Sequence, residues 1–470
     1  MLGSVADVVS TTRIVARSAR LWRIVGDVRD GEGRRVALFG LQIFLLLTAY
    51  YLLKTVREPL ILLWGIWGLS GQELKIYATS AQALLLLALL PLYGRLASRV
   101  PRLALIRYSL LGFIGSLIVF VALGVNGVPI AAPFYMWLGI VSLLGVAQFW
   151  SLAVDLYTRE AGERLFGVIA IGGSAGAIVG AQLAHRLIDP VGIYGLMLIA
   201  AAFYAVALVV VTIIDRGPSL EPSARAAPAA PRTGSVLALV ARDRYLLLIG
   251  ALLIVANLVN TQGEYILADA VKAHAAQFPA ASRQAIIGRF YGGFYGVVNA
   301  LAFLVQAFLV ARLFKRGGTR WALFLLPWVA LCGYGAIALL PSLGIVAVAK
   351  VLENSFDYSI ETTVEQTLFL PTSRAIKYTG KATVDTICVR MGDMVAGGLV
   401  LLSLHVLSLS RRGFAVANLM LVAIWLVIAV AIARRHRSLA GDKPVRRAAV
   451  SPGVRPVPVE IADDSPPVRT

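Results

Sequence analysis

Apolar stretches of about 20 residues recur along almost the whole chain, and this feature limits the fold more than any other. A stretch of this length can cross the hydrocarbon core of a bilayer, where backbone polar groups must find partners inside the protein. The hydrophobic fraction, 59%, exceeds the roughly 45–50% of soluble domains. The sequence therefore predicts an all-α membrane protein with about twelve transmembrane helices. The predicted spans lie near residues 36–55, 76–96, 103–125, 130–157, 164–187, 191–214, 245–266, 286–312, 319–340, 343–369, 382–408 and 413–433.

A polar segment divides these helices into two sets of six. The segment DRGPSLEPSARAAPAAPRTGS (residues 215–235) has no apolar period and is typical of a solvated linker. ERLFGVIAIGGSAGAIVG and GKATVDTICVRMGDMVAG, each at the start of a fifth helix, align without gaps. Two six-helix pseudo-repeats predict a major-facilitator-like architecture, with a substrate site near the midplane between the halves. The predicted domains are an amphipathic cytoplasmic segment at 1–35, a helix bundle at 36–214, a cytoplasmic linker at 215–244, a second helix bundle at 245–434 and a disordered cytoplasmic tail at 435–470.

The Lys and Arg residues that give the net charge of +19 are distributed unevenly between the two sides of the predicted bundle. These residues crowd the N-terminus, the linker, the tail and two short connections, whereas GVNGVP and PSLG on the opposite side are uncharged. The positive-inside rule then predicts a multi-pass protein of the cell inner membrane with both termini cytoplasmic. The basic charge therefore does not indicate a nucleic-acid partner, and the expected partners are the lipid bilayer and a small-molecule anion.

The first predicted helix contains charged residues within an apolar segment, AYYLLKTVREPLIL (residues 49–62). Lys54, Arg57 and Glu58 stand there although a buried ion in a membrane costs about 2.5–3.5 kcal/mol or more. All three fall on one face of a helix, so this face is predicted to line a central aqueous cavity as part of an anion site. The alternative is a self-neutralising ion cluster at a helix end, with side chains reaching the interface.

The tenth predicted helix carries a stripe of acidic residues in AKVLENSFDYSIETTVEQ. Glu353, Asp357 and Glu361 recur every four residues, and Glu365 continues the same face. Because these carboxylates cannot all be ionised in a dry site, either cations oppose them or some are protonated. Asp357 or Glu361 is predicted to meet Lys54 or Arg57 across the interface of the halves in at least one state. A purely structural salt-bridge gate between the halves is the alternative.

Charged residues in the seventh and eleventh predicted helices complete the candidate site. The segment NLVNTQGEYILADAVK contains Glu264 beside Asn260 and Gly263, which predict a weakened or broken helix near a binding site. The eleventh helix begins with Lys381 and Asp385, which are four residues apart and can pair along the helix.

The motifs of soluble enzymes and of metal sites are missing from the sequence. GGSAGA (residues 172–177) follows no strand and lies in a membrane span, so its glycines are predicted to permit close helix packing. No Walker motif, nucleophile elbow or metal-binding helix occurs, and the two cysteines lie in apolar segments. The sequence therefore predicts neither an enzyme nor a metal or cofactor site.

Several stretches resemble the nucleotide transporter family, the ATP/ADP translocases of plastids and intracellular bacteria and their free-living bacterial relatives. They are LLKTVREPLIL in the first helix, FWSLAVDLYTREAGERLFG across the fourth and fifth, KAHAAQFP after the seventh, and DYSIETTVEQTLFLPTSRAIKYTGKATVD across the tenth and eleventh. The last stretch keeps the spacing of the family without gaps, including its YS, GKA and Asp385. The resemblance implies a major-facilitator-like antiporter that exchanges ATP, ADP or related nucleotides by alternating access.

The resemblance also implies roles for individual residues. Arg57 matches the basic residue of the family's first helix, with Lys54 beside it and Glu58 as the neighbouring acid. Glu264 matches the acid of the seventh helix, and Lys381 matches the lysine where the tenth and eleventh helices join.

The chain departs from the family pattern at two places. The fourth helix lacks the family's early acid, and Glu365 replaces a lysine in the tenth helix. The two alternatives are a proton-coupled carrier or exporter of another organic solute, favoured by the acidic tenth helix, and a non-transporting membrane scaffold.

Overall fold

The computed structural model describes residues 28–29, 32–65, 68–97, 99–215, 243–369, 372 and 388–441. Within these ranges the chain forms helices and their connections, without a β-strand. The helices are α1 Gly33–Leu63, α2 Gly71–Ala97, α3 Arg102–Val125, α4 Ala131–Leu156, α5 159–191, α6 193–215, α7 Arg244–Ala275, α8 280–317, α9 319–339, α10 343–368, α11 389–406 and α12 Arg411–Gly441. Most of the predicted amphipathic segment, linker and tail lie outside the described residues, as do Lys381 and Asp385.

The number of membrane spans follows from two glycine breaks. Nine helices of the described ranges are long and apolar enough to cross a membrane. Two of them run through a glycine with left-handed torsion angles, Gly192 at φ 66° and Gly318 at φ 62°, and each therefore contains two spans. With α10, which carries the acidic stripe, the described part of the chain holds twelve helical segments. The predicted all-α, major-facilitator-like fold class is confirmed.

Two of the helices that extend beyond their predicted ends, α1 and α7, carry charged residues in the added segment. α1 continues through Lys54, Arg57 and Pro59 to Leu63, past the predicted end at residue 55. α7 reaches Ala275 as one uninterrupted helix, so the predicted break near Asn260 and Gly263 is wrong. A Cβ atom at position 263 would lie 2.0 Å from the hydroxyl of Tyr334, so the glycine permits close packing instead of breaking the helix.

The buried apolar residues form two cores. One core consists mainly of residues of α1 and α3–α6, and the other is formed mainly by α7–α12, with Ile76 and Ala78 of α2 among its members. Within the first, α1 and α5 pack backbone to backbone along Gly172, Gly176 and Gly180. A Cβ atom at these three positions would lie 2.3–2.4 Å from the carbonyl oxygens of Gly40, Phe44 and Thr48. The predicted role of the glycine-rich stretch in close helix packing is therefore confirmed.

Polar contacts between the two halves hold one end of the bundle together. An even number of spans brings the start of α1 and the end of α12 to the same end, here called the terminal face. At the opposite face, Lys272 Nζ donates to Gln72 Oε1 at 2.9 Å and Arg289 pairs with Asp189 at 2.6 Å. His405 Nε2 lies 3.0 Å from Glu73 Oε1 at the same end. The described state is therefore closed at the opposite face.

Candidate functional site

A polar cavity of about 180 Å³ lies at the interface of the two halves. Both halves contribute to it: α1, α2 and α4 from the first, and α7, α8, α10 and α11 from the second. Three cations, Lys54, Arg57 and Lys75, line this central cavity, together with the acids Glu264 and Asp393. Its other lining residues are Ile76, Thr79, Tyr135, Asn257, Asn260, Thr261, Tyr295, Asn354 and Tyr358.

The first-half members of a row of alternating charges lie beside this cavity. Arg57 Nε donates to Glu58 Oε1 at 3.1 Å, and Glu58 Oε2 accepts from Lys75 Nζ at 2.8 Å. Glu58 is fully buried and accepts a further hydrogen bond, 3.0 Å long, from Tyr295 of the second half. Each carboxylate oxygen of Glu58 therefore has a cationic partner, which offsets the cost of burying it.

The row of alternating charges continues across the interface into the second half. Lys75 Nζ lies 3.3 Å from Glu264 Oε2, and Glu264 Oε1 lies 3.8 Å from Lys350 Nζ. Lys350 in turn pairs with Glu353 at 3.2 Å, and Tyr334 donates to the other oxygen of Glu353 at 2.8 Å. Lys75–Glu264 is thus the ion pair of this row that joins the halves.

Lys54 lies outside the row of alternating charges. Its ammonium donates to the hydroxyl of Tyr358 at 3.2 Å and stands 4.4 Å from the ring centre of Tyr295. Among the described residues no carboxylate lies within ion-pair distance of Lys54, although its exposed fraction is only 7%. A buried ammonium without a counter-ion is costly, and an anion in the cavity would relieve that cost.

The acidic stripe of α10 points away from the central cavity. Glu353, Asp357, Glu361 and Glu365 line a second cavity of about 160 Å³ inside the second half, here called the acidic cavity. Asn354 and Tyr358, each one residue further along, face the central cavity instead. The expected meeting of Asp357 or Glu361 with Lys54 or Arg57 is therefore absent in the described residues, because one residue turns a helix by about 100°.

The predicted site residues thus divide into three groups. Lys54, Arg57 and Glu264 line the central cavity, and Glu58 lies behind them as the shared partner of two cations. Asp357 and Glu361 belong to the acidic cavity. Lys381 and Asp385 lie outside the described residues.

Lys75 is a central residue that the sequence analysis missed. The predicted second span begins at residue 76, which left Lys75 in the preceding connection. Its side chain is 3% exposed and bonds to two carboxylates. The four-residue spacing of Lys75 and Thr79, which both line the cavity, is the signal that could have revealed this face.

The described bundle, with a polar cavity between its halves, has the fold of major-facilitator transporters. It superposes on an auto-inhibited peptide transporter of the POT family with a TM-score of 0.61 at 11% identity, covering 87% of this chain and 97% of that one. The nucleoside transporter NupG gives 0.58 at 12% identity, with coverages of 86% and 99%. A bacterial homologue of the iron transporter ferroportin, in an inward-facing state, gives 0.61 at 14% identity, with coverages of 85% and 98%.

Sequence comparison adds a more specific similarity. Residues 323–436 match the model of the TLC ATP/ADP transporter family, which confirms the resemblance over α9–α12. A comparison with curated protein sequences finds no significant match.

Proposed function

We propose that the protein is a membrane transporter that moves a phosphorylated anion, a nucleotide such as ATP or ADP, by exchange through alternating access. The observation that carries this proposal is Lys54, a cavity cation without a carboxylate partner among the described residues. The similarity of residues 323–436 to ATP/ADP transporters supports the choice of a nucleotide. Lys54, Arg57 and Glu264 are the proposed substrate contacts, with Lys75 and Glu58 fixing their positions.

The chemistry of the cavity suits a phosphate group. The guanidinium of Arg57 uses its Nε for Glu58, and its carbon stands 4.5 Å from the ring centre of Tyr135. A planar guanidinium binds phosphate through two parallel hydrogen bonds, whereas an ammonium acts as a point charge. Arg57 would therefore orient the phosphate, and Lys54 would supply attraction.

The size of the cavity limits what the described state holds. Pockets for drug-sized ligands measure about 300–1,000 Å³, whereas this cavity measures about 180 Å³. A phosphate group fits such a volume, but a whole nucleotide requires the halves to move apart. The closed opposite face leaves the terminal face as the end at which they separate first. By the positive-inside rule, we propose that the terminal face is cytoplasmic.

Ligand-induced thermal stabilisation of the purified protein tests the proposal. A ligand that binds only the folded state stabilises it by about 2.7 kcal/mol at a concentration 100 times its Kd. We expect ADP and ATP to raise the Tm of the wild type. Arg57→Gln should remove this shift, Arg57→Lys should retain part of it, and Lys54→Gln should weaken it.

The control and the opposing result are equally specific. Lys315→Gln removes an exposed cation remote from the cavity and should keep the full shift. A shift caused by an unphosphorylated solute, with none from any phosphorylated compound, would contradict the nucleotide proposal and favour a carrier of another solute.

A further inference from the structure

The acidic cavity contains a carboxyl group that the proposed anion site does not use. Glu361 is 2% exposed and lines this cavity, and no described protein group hydrogen bonds to either of its carboxyl oxygens. Glu58 and Glu264 in and beside the central cavity behave differently, since both pair with lysines. An ionised carboxylate in such a dry place, beside three further acids, is strongly disfavoured, so the group is expected to be neutral.

Among the described residues, no group around Glu361 provides a counter-charge. Its own helix brings Asp357 and Glu365 one turn away, while Lys350 at the head of the stripe is occupied by Glu353 and Asn260. The neighbouring helices contribute the neutral side chains of Leu253, Ala256, Asn257, Asn260, Leu326, Val389 and Trp425 to the cavity. Arg390 and Asp393 of α11 pair with each other at 2.9 Å, and Tyr334 of α9 is bonded to Glu353.

The acidic cavity also contains a hydrogen-bond donor that lacks a partner. The indole nitrogen of Trp425 is buried and has no described protein acceptor. An indole N–H only donates, and a protonated carboxyl group both donates and accepts. The cavity of about 160 Å³ has room for a few water molecules that would connect the two.

We propose that the acidic cavity is a proton-binding site, that Glu361 is the residue that holds the proton, and that the proton is coupled to transport. The stripe from Glu353 to Glu365 covers about 18 Å along α10 towards the terminal face. Of these carboxyl groups, Glu365 lies between Glu361 and the terminal face, one turn or about 6 Å from Glu361, so it is the group through which a proton would reach Glu361 from that face.

The π-helical segment Asp357–Glu361 connects the acidic cavity with the central cavity. It turns Asp357 and Glu361 into the acidic cavity and Tyr358, the hydrogen-bond partner of Lys54, into the central one. Asn257 and Asn260 line both cavities and form their shared wall. Gain or loss of a proton at Glu361 therefore acts on the segment that contacts Lys54. π-Helical segments inside α-helices are frequent at functional sites.

Infrared spectroscopy tests the proton site without any ligand. At neutral pH, the difference spectrum of wild type minus Glu361→Gln should contain the carbonyl band of a protonated carboxylic acid. The spectrum of Glu365→Gln, which changes a carboxyl group of the same cavity, should still contain the carbonyl band assigned to Glu361. Loss of an ionised-carboxylate band in Glu361→Gln instead would overturn the proposal.

A measurement on the unmutated protein guards against a variant that fails to fold. Dicyclohexylcarbodiimide adds to protonated carboxyl groups in apolar surroundings, the acid proton passing to the reagent's nitrogen. Mass spectrometry should find the adduct on Glu361, at a yield that falls as the pH rises. Labelling of other buried acids with none at Glu361 would contradict a protonated Glu361.

The coupling rests on the proposed transport function and has its own test. In proteoliposomes, a pH gradient should change the initial rate of ADP uptake several-fold in the wild type and leave Glu361→Gln unaffected. If the rate of ADP uptake by the wild type does not depend on the pH gradient, the proton on Glu361 has no role in transport and the coupling is overturned. The absence of ADP uptake would overturn both the transport proposal and the coupling, while the infrared result would still decide the proton site.

Discussion

Lys75 is the residue on which the charge balance of the interface depends. It bonds at once to Glu58 of its own half and to Glu264 of the other half, and its side chain is almost fully buried. Removing one partner from a buried ion pair leaves the other charge without compensation, which costs more than the pair itself contributes. Lys75 therefore stabilises the described state by holding two carboxylates.

Replacing Lys75 with methionine should destabilise the protein by about 3–5 kcal/mol, because the buried Glu58 and the partly buried Glu264 lose their shared cation. Thermal unfolding in detergent measures this loss. The double variant Lys75→Met/Glu58→Gln should regain part of it, since one of the two acids becomes neutral. Lys315→Met, at an exposed position, serves as the matched control. Equal stabilities of Lys75→Met and this control would contradict the stabilising role of Lys75.

At the scale of single helices, the sequence predicts which helices exist and which residues share a face better than it predicts which neighbour each face contacts. The long apolar runs specified the spans, and the four-residue spacing correctly placed the stripe from Glu353 to Glu365 on one face. Which neighbour that face meets depends on tertiary packing. The face of α10 that bears Asn354 and Tyr358 lines the central cavity. No periodicity in the sequence specifies that this face, and not the acidic one, does so.

The packing of α1 on α5 gives a prediction at the same scale. Gly176→Val places a branched side chain where a Cβ atom alone would lie 2.3 Å from the carbonyl oxygen of Phe44. Overpacking of this kind costs about 1–3 kcal/mol or more and should lower both Tm and yield of folded protein. Gly115→Val, at a position with no heavy atom within 4 Å of an added Cβ, is the matched control. Equal Tm values for the two variants would mean that the helices do not pack this closely.

For the whole molecule, the twelve helical segments of the described residues make a prediction about topology. A fluorescent protein fused to the C-terminus should fold and emit, because we propose from the positive-inside rule that the terminal face is cytoplasmic. Alkaline phosphatase fused after Gly127, between α3 and α4, should be active because this connection lies at the opposite face. Activity of the phosphatase at the C-terminus would invert the proposed orientation.

The row of alternating charges has a consequence for the moment at which the halves part. If the ion pair between Lys75 and Glu264 breaks, the first half keeps two cations and one acid, Arg57, Lys75 and Glu58. The other half keeps two acids and one cation, Glu264, Glu353 and Lys350. With Lys54 added to the positive side, we expect the proposed anionic substrate to be attracted more strongly by the first half than by the second. In this proposal the first bundle holds the substrate, and the second bundle moves past it.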